Sequence, residues 1–521
     1  MGFVDMFGGE ESVPSNGRLK DMAGKFTVAK SGFSRVYIIP GRAGPEHRPQ
    51  YEACGSAGSL DKSFGDVERE ECPSEEVYGE FDVVARTQGA EEDASSSLVL
   101  RYASDAKSTL LKLAAQRCPA DVHVHFGKCT DPRVFNAFTK AIIYENVHLT
   151  SYSTDDLGAI QSDENAAIME TIDLTIAEVY ETVPLTIQER APDVVINQLT
   201  DAVICDYRTC GDCNEYSEGC NDMFVLQGGL LGSPGTAPDI VYSDDEGNTW
   251  GSDEIVTLTS GQIADAIACL GNYLVVVSNA AGSASYKLKS YVLAGTALNW
   301  EETTVGFVSG SGPNDIWSVG VGAWIVGDGG YVYYMNDPSL GVVIRDAGVA
   351  AGGENLNAIH ALSDNRAVAV GENDTIIYTT DGETWEATNA TGGGNNLTTV
   401  WMRSLSEWWV GDDAGNLYYT KDSGNNWTAK ALPGTAPTGI NDIQFASESI
   451  GYVVGAAGGS GSAWRTFDAG YDWVKLPEGA GSLPGSSTTI NALATCQEDV
   501  DIAVFAAQDA ANDGVLLIGK A

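Results

Sequence analysis

Positive charge is scarce in this chain. Its 521 residues hold 29 Lys and Arg against 72 Asp and Glu, a net charge of −43. The deficit deepens along the chain: 18 basic and 31 acidic residues lie up to Arg190, and 11 and 41 after it, or −13 and −30. Binding nucleic acid through phosphates needs clustered Lys and Arg, so neither part fits that class. An acidic surface repels DNA, which suits a soluble protein, a crowded assembly or a conduit through which DNA slides. Long apolar runs are missing too. None approaches the roughly 18 residues that cross a bilayer, so no membrane role is expected. Residues 1–30 carry Asp5, Glu10 and Glu11 among scattered Gly and lack the basic-then-apolar pattern of a signal peptide, so export by that route is not expected. Ten Cys are too few for a disulfide-dense scaffold and leave the compartment open.

Catalytic motifs are equally thin. No Gly-x-Ser-x-Gly elbow and no Walker-type loop occurs. The five His are His47, His123, His125, His148 and His360. His123 and His125 alternate along one strand, and a solvated strand face is the expectation rather than a metal pair. No cofactor, metal or enzymatic activity is expected.

What is abundant is Gly, at 60 residues, and Trp with Tyr, together 32. Gly for turns and aromatics for pleated surfaces mark an all-β protein. The length calls for two or three domains. In the second part a pattern Ser/Thr-x-Asp-x-Gly-x-x-Trp recurs. Ser243, Asp245, Gly247 and Trp250 carry it, as do Thr420, Asp422, Gly424 and Trp427, and Thr466, Asp468, Gly470 and Trp473. Thr379, Asp381, Gly382 and Trp385 form a copy one residue shorter. Trp385 to Trp427 is 42 residues, Trp427 to Trp473 is 46, and Trp250 to Trp385 is 135, room for three steps of 45 with degenerate copies near Trp300 and Arg345.

Two further series run at the same spacing. Short strands centred on a small or polar residue fall at Asp201, Asp265, Asp315, Ala358, Thr399, Asp442 and Ala492. Apolar runs follow at Phe224–Leu226, Leu274–Val277, Trp324–Val326, Ala367–Val370, Trp408–Val410, Tyr452–Val454 and Ile502–Phe505. β-rich units at a period of 40 to 50 residues read as propeller blades, and seven members per series predict seven blades. After Ile502–Phe505 only Val515–Ile518 remains, so the last blade is one strand short. The extended run Pro192–Asn197, centred on Val194–Ile196, is expected to supply that strand. In the recurring turn, Gly permits the tip conformation, Asp accepts hydrogen bonds from turn amides, and Trp packs between sheets; the role is structural.

These four turns resemble the Asp-box (BNR) repeats of sialidases, Vps10-type sorting receptors and photosystem II assembly factors, and the seven-fold series resembles the last group most, over about residues 192–521. The resemblance implies a propeller and says little of function. Sialidases imply three carboxylate-binding Arg, an Arg-Ile-Pro motif and a Tyr nucleophile with a Glu partner. This region has five Arg, namely Arg208, Arg345, Arg366, Arg403 and Arg465, and no Arg-Ile-Pro. Arg345 and Arg465 are expected at the rim, which disfavours a sialidase. Cys205, Cys210, Cys213 and Cys220 form a C-x4-C-x2-C-x6-C cluster that admits zinc, one or two disulfides, or free thiols; the spacing favours a structural, metal-free loop with disulfides.

Residues 1–190 read as a separate domain and 191–521 as the propeller. After a polar arm over Met1–Lys30, strands are expected at Phe33–Ile39, Glu80–Thr87, Ser97–Tyr102, Asp121–Phe126, Ala141–Ser153, Ala167–Ile176 and Val179–Ile187. A helix is expected over Ser104–Arg117 and a long loop over Arg42–Glu76. This order resembles the tail tube proteins of long-tailed bacteriophages over about Phe81–Leu185, with Asn146–Thr154 and Glu170–Thr175 as the paired strands after the helix. The resemblance implies a mainly β fold, an N-terminal β-sandwich with one helix joined to a seven-bladed propeller. It also implies a virion tail subunit, assembled in the host cytoplasm, that self-associates into stacked hexameric rings. DNA would pass through without specific binding, and the propeller would face outward, open to a host-surface ligand. The alternative is a non-enzymatic propeller acting as a binding or assembly factor or a surface adhesin.

Overall fold

The structure, a computed structural model, describes residues 34–40, 51–52, 60–63, 94–101, 120–126, 140–154, 169–176, 178–182, 186–190, 199–205, 222–227, 230–231, 240–253, 262–270, 273–280, 283–290, 300–303, 307–308, 310–319, 322–337, 340–476, 487–496, 500–510 and 513–520. The chain divides into two units, with the boundary between Pro184 and Leu185.

In the first unit eight strands form one antiparallel sheet. Their order is Tyr51–Glu52, Ser34–Pro40, Ala120–Phe126, Lys140–Thr154, Met169–Ile176, Ala94–Arg101 and Leu60–Ser63, and Glu178–Thr182 also pairs with Lys140–Thr154. The long strand serves two neighbourhoods. Its first part pairs with Ala120–Phe126 and Glu178–Thr182, and its second part with Met169–Ile176. Ala141, Ile142, Ile143 and Tyr144 are all buried, so both faces are covered there. Tyr51–Glu52 and Leu60–Ser63 are strands inside the stretch expected to be one loop. The expected helix Ser104–Arg117, strand Glu80–Thr87 and arm Met1–Lys30 lie outside the described residues.

The second unit is a β-propeller. Six blades are continuous in the chain. The first is Leu199–Cys205, Asp222–Gln227, Ile240–Ser243 and Gly251–Asp253. The second is Gln262–Leu270, Tyr273–Ala280, Ser283–Ser290 and Trp300–Thr303, extended by Leu230–Leu231. The third is Pro313–Ser318, Ala323–Gly327, Tyr331–Met335 and Val343–Ala347; the fourth is Leu356–Ser363, Arg366–Gly371, Ile376–Thr379 and Trp385–Ala387. The fifth is Leu397–Met402, Trp408–Asp412, Leu417–Thr420 and Thr428–Lys430; the sixth is Pro437–Phe445, Gly451–Ala457, Ser460–Thr466 and Trp473–Lys475. One more sheet is composite: Ser487–Thr495, Ala503–Asp509 and Gly514–Lys520 from one end of the propeller, with Thr186–Arg190 from the other.

This composite blade corrects the expected closure. The strand that completes it is Thr186–Arg190, with Ile187 buried and Gln188 and Glu189 exposed, whereas Pro192–Asn197 lies outside the described residues. Thr186–Arg190 therefore belongs to the propeller and not to the first domain.

Each blade hides its second strand on both faces; Ala323–Gly327 and Trp408–Asp412 are buried throughout. The apolar cores accordingly lie between blades. One joins the fourth and fifth blades through Val368, Val370, Val400 and Trp408, and another joins the first and closing blades through Val225, Val241, Val504 and Leu516. Gly371 ends one of these second strands and Gly455 lies inside another, and a Cβ there would sit 1.9 Å from the Asn355 carbonyl oxygen and 2.1 Å from that of Gly439. Only a hydrogen fits that backbone approach.

Candidate functional site: the axial ring and its aromatic rim

The polar series read in the sequence marks one recurring device. In every blade the register between inner and second strand slips by a residue at this point, as between Pro313 and Asp315, Leu356 and Ala358, or Ile490 and Ala492. Such a bulge turns backbone amides out of the ladder, and the carboxylates collect them. Asp201 accepts from the Ala202 N–H at 2.8 Å and, across to the second blade, from the Ile267 N–H at 2.8 Å. Asp315 accepts from Ile316 at 2.7 Å and from Ile359 of the fourth blade at 2.8 Å. Asp442 accepts from Ile443 at 2.7 Å and from Leu493 of the closing blade at 3.0 Å. Thr399 takes the same place with its hydroxyl, accepting from Ile443 at 3.2 Å.

The residue just before each bulge completes a second ring. Asn314 donates to the Leu356 carbonyl at 2.9 Å, Asn357 to Leu397 at 2.8 Å, Asn441 to Ile490 at 2.8 Å and Asn491 to Leu199 at 2.7 Å, while the Thr398 hydroxyl donates to Ile440. The Asn491 bond spans 292 residues of sequence. It joins the last inner strand to the first.

Crowding of these carboxylates changes their chemistry. Burial pushes Asp201 well above the usual carboxylate range, and Asp315 adds to the push. Burial raises Asp315 to about 7, against the two amides it accepts from, and Asp442 to about 6. Desolvation thus outweighs the hydrogen bonds that favour the ionised form. Among the described residues no group of three His, Cys, Asp or Glu is placed to hold a metal ion.

Two residues beyond the bulge the inner strands carry Trp317, His360 and Trp401. Trp317 packs at a tilt against His360 at 4.3 Å between ring centroids, His360 likewise against Trp401 at 4.0 Å, and Trp317 meets Trp401 edge-on at 5.3 Å. Trp317 belongs to the third blade and Trp401 to the fifth, so the rings meet where inner strands converge, past the fourth. The Trp317 indole N–H donates to the Ala361 carbonyl at 3.1 Å, and His360 Nδ1 accepts from the Met402 N–H at 3.1 Å. Burial lowers His360 to about 3. The ring is neutral, and with Nδ1 accepting, its proton sits on Nε2. Leu362, at 43% exposure, lies near the end of the fourth blade's inner strand, and Leu405, at 59%, in the turn after the fifth's. Sequence reading picked out His360 only as one of five histidines and missed the triad. The recurrence of aromatic residues two positions after the bulge was the available signal.

The four recurring turns share one hydrogen-bonded form. The Ser or Thr hydroxyl accepts from the Gly amide: Gly247 to Ser243 at 2.7 Å, Gly382 to Thr379 at 3.0 Å, Gly424 to Thr420 at 3.1 Å and Gly470 to Thr466 at 2.9 Å. The Asp carboxylate accepts from the amide before Trp: Thr249 to Asp245, Thr384 to Asp381, Asn426 to Asp422 and Asp472 to Asp468, all at 2.7–2.8 Å. The three longer copies place two successive residues at positive φ, such as Ala469 and Gly470. In the shorter copy, of its turn residues only Gly382 does so. The Thr384 and Glu383 amides hold Asp381 down to about 2. Trp385 and Trp473 are buried against the preceding blades, 5.3 Å from Trp324 and 5.9 Å from Trp409; Trp250 and Trp427 are half-buried.

Other expectations need correction. Cys205 is disulfide-bonded to Cys269, on the inner strand of the next blade, rather than within the cluster. Inner strands of adjacent blades run side by side, so the partner is near in space and far in sequence. Cys210, Cys213 and Cys220 lie outside the described residues. Arg465 does not face the rim. It is 1% exposed, paired with Asp501 at 2.7 Å and stacked on Tyr452 and Phe467. Arg345 pairs with Glu383 on the outer edge and Arg403 pairs with Glu407, so these three do not converge on the axis. His123 is buried, not on a solvated face, because its strand lies between Ser34–Pro40 and Lys140–Thr154.

No family model and no curated protein matches the chain. Among solved structures, YCF48 bound to D1 peptide is 14% identical, with 65% of this chain and 96% of that one covered at a TM-score of 0.47. U3-55K is 12% identical, covering 64% and 98%, with a TM-score of 0.47. Virginiamycin B lyase from Staphylococcus aureus with quinupristin is 13% identical, covering 64% and 99%, with a TM-score of 0.45. Likeness at this level is one of fold, and the fold brings no function with it.

Proposed function

We propose that the propeller is a non-enzymatic binding module, of the binding or assembly-factor kind, whose axial rim takes an apolar or aromatic side chain of a partner protein. The observation that carries this is the triad of Trp317, His360 and Trp401, drawn from three successive blades, two of which also carry an exposed leucine, Leu362 on the fourth and Leu405 on the fifth. Tryptophan is enriched at binding hot spots. A neutral His360 offers one N–H donor and no charge, which suits a polar tip on an otherwise apolar anchor.

The tail tube reading finds no such support. It rests on strand order and texture, and the helix on which that order turns lies outside the described residues. Stacked rings, DNA passage and a place in a virion are therefore not carried forward.

Selection of a random displayed peptide library on the full chain tests the binding reading. The expected result is an enriched apolar or aromatic consensus whose affinity falls at least about tenfold, or about 1.4 kcal/mol, in Leu405→Asp. Leu405 is exposed, so this variant keeps the fold. No enrichment, or equal binding by Leu405→Asp and Trp317→Ala, defeats the proposal.

A further inference from the structure

The outer edge of the third blade departs from the others in a way that the axial rim does not explain. Six large apolar side chains are strongly exposed among the described residues, and four lie within one stretch: Leu340 at 74%, Val343 at 53%, Ile344 at 42% and Val349 at 81%. Leu340 sits in the turn that enters the outer strand Val343–Ala347, and Val349 in the loop that leaves it. The four therefore run the full height of the blade. In the fourth and sixth blades the outer strand starts on a tucked box Trp and lasts three residues, as Trp385–Ala387 and Trp473–Lys475. Here it is five residues long, and buried Val342 stands where the Trp would be.

This strand pairs with Tyr331–Met335 on its inner side, and among the described residues its outer side pairs with nothing. A long apolar edge is a template for another strand, and proteins ordinarily blunt it with charge. The local charge lies to one side. Arg345 is already held by Glu383 and lies over the Tyr334 ring at 5.6 Å. Asp346 remains on the strand, and Asp364 lies close enough to act on Tyr334. The surrounding propeller region carries 11 basic and 41 acidic residues.

We infer that the outer edge of the third blade receives an extended segment of a partner protein by strand addition, with apolar residues at alternate positions and Lys or Arg at its ends. Main-chain hydrogen bonds give such additions their register, and alternate side chains give specificity. The register slips at Arg345, leaving short ladder segments on either side. Recognition therefore leans on the apolar stripe and on attraction between basic ends and an acidic rim. This site is separate from the axial one, and either can fail alone.

The probe is a fluorescent nonapeptide of alternating Val and Thr capped by two Lys at each end, titrated against the full chain by anisotropy. Saturable binding is expected. It should weaken at least about tenfold when the caps are Glu, be lost when a central Val is replaced by Pro, and weaken at least about tenfold in the double variant Val343→Lys, Val349→Lys. Both positions are exposed, and an unchanged melting curve confirms that the variant is folded. Equal affinity for Lys- and Glu-capped peptides, or for the variant and the native chain, overturns the inference. So does concentration-dependent dimerisation that the double variant abolishes, since the occupant would then be a second copy. Leu405→Asp should leave this titration unchanged.

Discussion

The third blade and the three that follow it share an inner half and differ in the outer one. All four turn their inner strands at the same bulge and tie them to the next blade by side chain to backbone bonds. The fourth, fifth and sixth then cross to a boxed turn and a three-residue outer strand, while the third ends in an exposed apolar edge. Closure explains the difference. Every inner strand must meet two neighbours at a fixed angle, so one error there strains the whole ring. An outer strand meets one neighbour and is free to change. Stability should therefore concentrate between blades near the axis, and binding on edges and rims.

The comparison breaks first if blade-to-blade contacts prove dispensable. Arg465 bridges from the sixth blade to Asp501 and the Val500 carbonyl of the closing one. Arg465→Ala leaves Asp501 buried without its partner and should cost about 3–5 kcal/mol in urea unfolding. A cost below about 1 kcal/mol would remove the interblade framework from the account.

Next come the axial carboxylates. Asp442→Ala deprives the amides of Ile443 and Leu493 of their carboxylate acceptor and should cost about 2–3 kcal/mol. These groups also set a pH dependence. Burial raises Asp315 from the ordinary carboxylate value of 3.8 to about 7, so the folded state binds the extra proton. Its contribution is fully present below about 3.8 and is lost as pH rises through 7. Stability should fall between pH 4 and 8, and less steeply in Asp315→Asn. Equal slopes in the two proteins would remove Asp315 as the cause.

Smaller still is the box. Asp422→Ala frees the Asn426 amide at an exposed turn, where water replaces the carboxylate, and should cost about 1 kcal/mol by thermal unfolding. A cost as large as that of Asp442→Ala would place stability at the periphery.

How much of this was legible follows from the same division. The blade period, the inner-strand series and the boxed turns could be read because closure repeats one local geometry, and repetition shows in a single sequence. Asp201, Asp315 and Asp442 stood out as polar residues in apolar strands, though their partners, Ile267, Ile359 and Leu493, did not. These contacts between blades join residues 44 to 66 positions apart, and no short-range signal carries them. Cys205 was read into a local cluster for the same reason. The closing strand falls a few residues from its expected place because Pro192–Asn197 reads in the sequence as an extended run, and only pairing with Gly514–Lys520 singles out Thr186–Arg190. The edge of the third blade was seen only as a failed repeat near Arg345. A departure from the pattern shows where a constraint is relaxed, but not what replaces it.

The smallest effect should fall on that edge. Val343 and Leu340 are exposed and contribute little to the core beneath, which is built from Tyr333, Met335 and Val342. Val343→Thr keeps the β-branched shape and the strand propensity. Leu340→Ser lies in a turn, where Ser is well tolerated. The double variant should change stability by no more than about 0.5 kcal/mol, the usual range for surface positions. It should also lower the protein's retention on a hydrophobic interaction column, since it removes two of the six large apolar side chains that are strongly exposed among the described residues. Unchanged stability with lower retention would mark an apolar edge maintained for contact rather than for folding. A loss of 2 kcal/mol or more would show that the edge is part of the core after all, and the contrast between the third blade and its neighbours would then be one of packing alone.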